Sequence, residues 1–287
     1  MRKEDIARLY KDPITYSTTI DPHFESIWND LLDKLVLPEN SYILDLACGT
    51  GKTLGQIAKR NKHRKIYLEG VDLSPEMVTE AKKNKFEEGK GKNLQLCFHC
   101  QDCLKFLSSG KEDKYHLVIA SFLLAFVDAR KLFPLVYRSL KKEGKFVIMT
   151  TSFDELKDIE KEFFKFAISR FYYFKWWDAL TLPIKKVHFL PPIETIVKNL
   201  FEAKFAKIEI TKLQAKMTFS DPLEGVRWVD TFGCVYFDLL KEEKKEKFFL
   251  EALKYVEKHN LKYFGEPIKK GSPFKLILPL YQIIAEK

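Results

Sequence analysis

The sequence predicts an α/β protein on a doubly wound, mostly parallel sheet, and three observations predict it. Short β-branched runs alternate with amphipathic helical stretches through the first half of the chain, a Gly-rich turn (DLACGTG, 45–51) follows the first run, and acids recur where runs end: Asp45, Asp72 and Asp102. The runs place strands at 42–47, 65–72, 94–102, 115–122 and 144–152. Between them a helix is expected at 74–84, with Ser74 as N-cap and Pro75 at its first position. Another is expected at 128–144, ending in Lys, Lys and a Gly stop. After 152 the alternation breaks, and an aromatic helical stretch fills 153–192. A helix and strand return at 193–213, a second helical stretch covers 214–272, and an apolar strand closes the chain at 273–287. Neither helical stretch is bounded by Pro, Gly or Ser linkers, so the reading is one domain, 1–287. It has a helical amino-terminal segment at 1–40, a ligand-binding core at 41–152 and two insertions that form a cap.

Composition bounds the function. The hydrophobic fraction of 46% is ordinary for a globular chain, and no stretch reaches the roughly eighteen apolar residues that a membrane span needs. The opening MRKEDIARLYKD lacks the apolar centre of a secretory leader, so a cytoplasmic location is expected. Five cysteines, an odd number, read as thiols rather than a disulfide framework. The net charge of +9 admits acidic partners, nucleic acid among them, but lysines interleaved with glutamates read as solvated faces.

Three ligands compete for the turn. A triphosphate loop needs a glycine five positions before Gly51, where Leu46 stands, and Asp45 would set a carboxylate against the phosphates. A dinucleotide fingerprint is met by Gly49 and Gly51 and broken at Leu54. An acid at a strand tip before such a turn repels a pyrophosphate and attracts a cation.

ILDLACGTG, then GVDLSPEMV, then CQD and LVIASFLLAFV, in that order, resemble the class I S-adenosylmethionine-dependent methyltransferases over residues 41–152. Ala47 departs from the pattern, standing where many members carry the first glycine. The resemblance implies a seven-stranded Rossmann-like sheet whose last strand is antiparallel. It also implies S-adenosyl-L-methionine as cofactor, with S-adenosyl-L-homocysteine as product. On that template Asp45 holds the methionine ammonium, and the backbone of Ala47, Gly49 and Gly51 lies against the ligand. Asp72 accepts the ribose hydroxyls, Leu73 and Met77 line the adenine side, Asp102 accepts the adenine amino group with the Cys103 amide nearby, and Ser121 and Phe122 border the methyl group. Taken singly, each acid also reads as a helix or turn cap.

Other patterns carry less. CFHCQDC has C-x-x-C-x-x-C spacing but sits in an alternating strand with no fourth cysteine near, so buried thiols are expected and no metal. In the aromatic run at 163–177, Phe171, Tyr172, Phe174, Trp176 and Trp177 are candidates to roof a substrate, with core packing the plain alternative. Residues 219–259 loosely resemble the tail of trans-aconitate methyltransferases, which nominates Arg170, Lys175 and Arg227 to pair with an anionic acceptor. Tyr10 and Tyr16 are candidates to close over the site. No catalytic base is assigned. The expected partner is a small-molecule methyl acceptor: a carboxylate or another anionic or aromatic metabolite. RNA or protein is the alternative, disfavoured because SFLLAF replaces the Pro-Pro-aromatic signature of base-amine methylating enzymes. The acceptor, the atom methylated and the oligomeric state are not encoded legibly.

Overall fold

The computed structural model of the chain describes residues 3, 6–7, 10–84, 94–151, 162, 165–167, 169–173, 190–232, 240–259, 262–263, 266–267 and 273–287. Seven strands form one sheet: β1 (Ser41–Leu46), β2 (Ile66–Asp72), β3 (Leu94–Cys100), β4 (Tyr115–Ser121), β5 (Leu140–Thr150), β6 (Ala206–Phe219) and β7 (Phe274–Glu286). Their spatial order is β3-β2-β1-β4-β5-β7-β6. The first five pair in parallel. β7 runs antiparallel between β5 and β6, as the resemblance implied.

The β-branched runs become central strands because both of their faces are covered, which the nearly unbroken apolar sequence requires. Ile43, Leu68, Ile119 and Val147 turn to one face and meet α2 (Glu25–Lys34) and α3 (Lys52–Arg60) through Leu31, Leu54 and Ile57. Leu44, Val118, Phe146 and Ile148 turn to the other and meet α6 (Ala129–Ser139) and α7 (Ile193–Glu202) through Phe133, Val136 and Leu200. Each of these side chains removes apolar surface from water for about 1.5–3 kcal/mol, so the two layers around β1 and β4 dominate the stabilisation and hold those strand tips rigid.

Local chemistry starts the helices that flank the tips. Ser74 Oγ accepts from Met77 N at 3.2 Å and Pro75 opens α4 (Pro75–Lys83), as expected. Asp128 accepts from Arg130 N at 3.0 Å to open α6. Two boundaries differ from the sequence reading. α6 stops at Ser139 rather than 144, because Leu140 is fully buried and pairs with Tyr115; the ladder outcompetes the helix. β6 continues to Phe219, through 214–219 where helix was expected, because it pairs with β7 along its whole length and buries Ala215, Met217 and Phe219.

The amino-terminal segment forms α1 (Pro13–Thr19), a single 3-10 turn at Asp21–His23, and α2. On the carboxyl side, α8 (Pro222–Phe232) packs Trp228 into the main core. A smaller cluster of Phe166, Tyr173, Leu240, Phe248 and Phe249 lies under α9 (Lys245–Lys258). Among the described residues no helix is long and apolar enough to cross a membrane.

Candidate active site

Strand order reverses between β1 and β4, and in open α/β sheets that switch point leaves a crevice at the carboxyl ends of the strands. Here the crevice is a hollow lined by Asp45, Ala47 and Gly49 from β1 and its turn, by Ser121 and Phe122 from β4, and by Tyr16 from the amino-terminal segment. The sequence reading nominated all six, and the fold brings them together.

The turn is built by left-handed backbone. Gly49 and Gly51 have φ of 52° and 76°, which glycine adopts without steric cost. A Cβ placed on Gly49 would meet nothing within 4 Å, so the backbone there borders open space. Ala47 holds φ of 60°, a conformation that costs a residue with a Cβ about 1–2 kcal/mol; this explains physically why glycine suits that position. Phe122 is also left-handed, at φ of 54°, a strained setting for an aromatic residue at the rim of a site.

Asp45 is 2% exposed, and its Oδ1 finds no hydrogen-bond partner among the described residues. Burial, with the Asp72 charge as a second cause, pushes its carboxyl well above the usual carboxylate range. Asp72 is raised by burial too, against the pull of backbone N–H donors. Its two oxygens accept from Gly49 N and Ser74 N, each at 2.8 Å. Asp72 therefore fastens the glycine turn to the start of α4, the turn-cap role that the sequence left open for each acid. Ser121 Oγ is another buried atom without a partner among the described residues. Two acids, one unpartnered, in a dry corner bordered by bare backbone suit a ligand that brings positive charge and hydrogen-bond donors.

The remaining nominated residues lie at neighbouring strand tips. Asp102 accepts from Lys105 N at 3.0 Å, capping α5 (Cys103–Ser109), and also meets Lys3 Nζ at 2.9 Å. Cys103 is buried and its thiol is raised to about 12, chiefly by burial. Leu73 follows β2, and Met77 is buried on α4. Tyr10 lies over this side, its carbonyl accepting from Ser74 Oγ at 3.1 Å and its ring 6.0 Å from that of Phe126.

Arg170 and Arg227 do not line the hollow. Arg170 Nε donates to Glu251 at 2.7 Å, and Arg227 is paired with Glu246 on α9. Tyr172 is exposed, and the Phe171 side chain, Phe174, Lys175, Trp176, Trp177 and Cys234 lie outside the described residues. Cys97 and Cys100, expected to be buried, are exposed, because β3 is the edge of the sheet. Among the described residues no group of three or more His, Cys, Asp or Glu side chains is placed to hold a metal.

Sequence reasoning missed Asp21, Phe24, Trp28 and Lys52, which also line the hollow. It missed Gly70 as well, paired with Asp45 across the ladder; a Cβ there would press within 2.6 Å of the Phe98 ring and 2.8 Å of Cys48 Sγ.

Comparison with known proteins agrees with this geometry. Residues 43–144 match the methyltransferase domain family model. The ubiquinone/menaquinone biosynthesis C-methyltransferase of Rickettsia felis is 32% identical over 143 residues, 49% of this chain and 56% of that protein. The chain thus matches about half the length of this curated relative. Among solved structures, the Bacillus subtilis YcgJ protein superposes with a TM-score of 0.63 at 14% identity, covering 92% of this chain and 98% of that one. A Streptomyces coelicolor geranyl diphosphate C-methyltransferase gives 0.50 at 15% identity, over 91% and 75% respectively; both show a shared fold. Residues 43–144 thus match a methyltransferase domain, set in a seven-stranded sheet with an antiparallel seventh strand whose fold these solved structures share.

Proposed function

We propose that the chain transfers a methyl group from S-adenosyl-L-methionine to a small-molecule acceptor. The observation that carries this reading is the unpartnered, buried Asp45 carboxylate beside the open backbone of Gly49. A cofactor with an ammonium and a sulfonium matches that corner, and a phosphate chain does not. Asp45 holds the ammonium, Asp72 and Asp102 offer acceptors along the tips of β2 and β3, and Ser121 and Phe122 border the transferred group. The bound cofactor supplies an electrophilic methyl carbon, displaced in line by the acceptor. The protein's part is to align the two in a space closed to water, an effect worth about 7–11 kcal/mol of barrier at its fullest.

The acceptor enters from the side of Tyr16, Phe24 and Phe122. Of the acceptor chemistries expected from the sequence, the lining supports an aromatic or otherwise apolar body; the two arginines nominated for an anion are engaged by glutamates elsewhere. Titration of the protein with S-adenosyl-L-methionine by calorimetry tests the reading. One-to-one binding that Asp45→Asn weakens supports it, and no binding by the wild type overturns it.

A further inference from the structure

Aromatic rings and a carboxylate face the hollow from the acceptor side. Tyr16, Phe24, Trp28 and Phe122 line it. Behind them α8 completes a ring cluster, with centroid distances of 5.0 Å for Phe24 and Phe122, and 5.1 Å for both Phe122 with Phe232 and Trp228 with Phe232. Asp21 lines the same space, and its Oδ2 accepts from Thr50 Oγ1 at 3.3 Å.

Among the described residues the charged side chains around the hollow are Asp21, Glu25, Asp45 and Lys52, and with Asp45 taken by the cofactor's ammonium, Asp21 and Glu25 stand against Lys52. Lys52 acts on Asp21 electrostatically but stands 3.5 Å from Glu25. The Tyr16 phenol is within electrostatic reach of Asp21 and Asp72, while His23 turns to the Phe219 and Trp228 rings. Such a field repels a carboxylate acceptor. It attracts a cation or a proton donor, and the rings add apolar area and a cation–π surface. Asp45, buried with an oxygen that has no partner among the described residues, marks the same hollow as a ligand site, and that oxygen is the one assigned above to the cofactor's ammonium.

We propose that Asp21 is the proton acceptor of this site, and that the methyl acceptor is an apolar, ring-sized molecule carrying a proton-bearing nitrogen or oxygen rather than a carboxylate. This rests on the methyl-transfer reading above. The acceptor's N–H or O–H proton passes to the Asp21 carboxylate. The electron pair on nitrogen or oxygen forms the new bond to carbon, and the pair of the broken carbon–sulfur bond leaves with sulfur. Burial raises Asp21 to about 6, so near neutrality it is ionised and is a stronger base than an exposed carboxylate.

The test compares two probes with the same phenylethyl body and opposite charge, 2-phenylethylamine and 3-phenylpropionate, bound to protein saturated with S-adenosyl-L-homocysteine, followed by calorimetry and tryptophan fluorescence. The amine should bind at least tenfold tighter at pH 7.5, and lose that advantage below pH 6 and in Asp21→Asn. Equal binding, tighter binding of the carboxylate, binding of neither, or an advantage that survives Asp21→Asn overturns the proposal. The wild-type comparison stands without the variant. Retained binding of S-adenosyl-L-homocysteine shows that the acceptor inference alone has failed; its loss shows that the cofactor reading has failed.

Discussion

Replacing Asp21 by Asn should make the protein more stable, by an amount that depends on pH. In the fold the Asp21 carboxyl is raised from 3.8 to about 6, with burial as the leading cause and Lys52 and Thr50 pulling the other way. At about 1.36 kcal/mol for each tenfold change in proton affinity, the ionised carboxylate costs the folded state about 3 kcal/mol. The sign follows from linkage: between pH 3.8 and about 6 the folded state binds more protons than the unfolded one, so stability falls as pH rises through that window and is level above it. Asparagine mimics the protonated acid and keeps an oxygen for the Thr50 hydroxyl. The variant should therefore match the wild type at pH 3.5 and exceed it by about 3 kcal/mol at pH 8, roughly 6–12 °C in melting temperature for a chain of this size. Urea and thermal melts at pH 3.5, 5, 6 and 8 measure it. A stability difference that does not change with pH, or a less stable variant at pH 8, refutes the reasoning. A residue that costs the empty protein this much is a residue kept for a ligand.

Other outcomes follow from the same geometry. Asp72→Ala should abolish binding of S-adenosyl-L-methionine in calorimetry and also lower the melting temperature, since it removes the acceptor for Gly49 N and Ser74 N, and bonds to a charged group contribute about 1.5–3 kcal/mol each; unchanged affinity counts against the cofactor placement. Ala47→Gly relieves a left-handed alanine worth about 1–2 kcal/mol against about 0.5–1 kcal/mol of added chain entropy, so thermal melts should show a gain of up to about 1.5 kcal/mol. A clear loss of stability in that variant contradicts the strain argument. Lys3→Ala frees Asp102 from a partly exposed ion pair, worth about 0.2–1 kcal/mol; cofactor affinity should rise by about 1.4- to 5-fold, and a weaker affinity would place Lys3 among the ligand contacts.

Much of the fold was legible because its signals are local. Ser74 and Pro75 announce α4 by cap chemistry, and the apolar runs announce β1, β2 and β4 because both faces of those strands are covered. That Asp45, Ala47, Gly49 and Ser121 would share one hollow was legible, since one turn and adjacent strand tips carry them in chain order. What the sequence did not show is what tertiary pairing decides. Lys141 to Gly144 read as a helix end, yet Leu140 is committed to the ladder with Tyr115. KLQAKMTF alternates as a strand should, but its neighbours are helical and only β7 settles the matter. Asp21, Phe24 and Trp28 belong to no motif, and they reach the hollow only when the amino-terminal segment folds across the tips of β1 and β4. Asp21 followed by Pro22 reads as an ordinary turn, and the charge balance around it exists only in three dimensions. The exposed Cys97 and Cys100 were misread for a related reason: alternation assigns faces but not whether a strand lies at the edge.

On the methyl-transfer reading, the corner made by Asp45, Asp72 and the Gly49 turn receives a positively charged nucleoside. Parallel calorimetric titrations with S-adenosyl-L-methionine, S-adenosyl-L-homocysteine, NAD and ATP test it most directly. One-to-one binding of the first two, lost in Asp72→Ala, is expected, with no measurable binding of NAD or ATP. Binding of ATP or NAD that displaces S-adenosyl-L-methionine, or no binding of S-adenosyl-L-methionine at all, would contradict it.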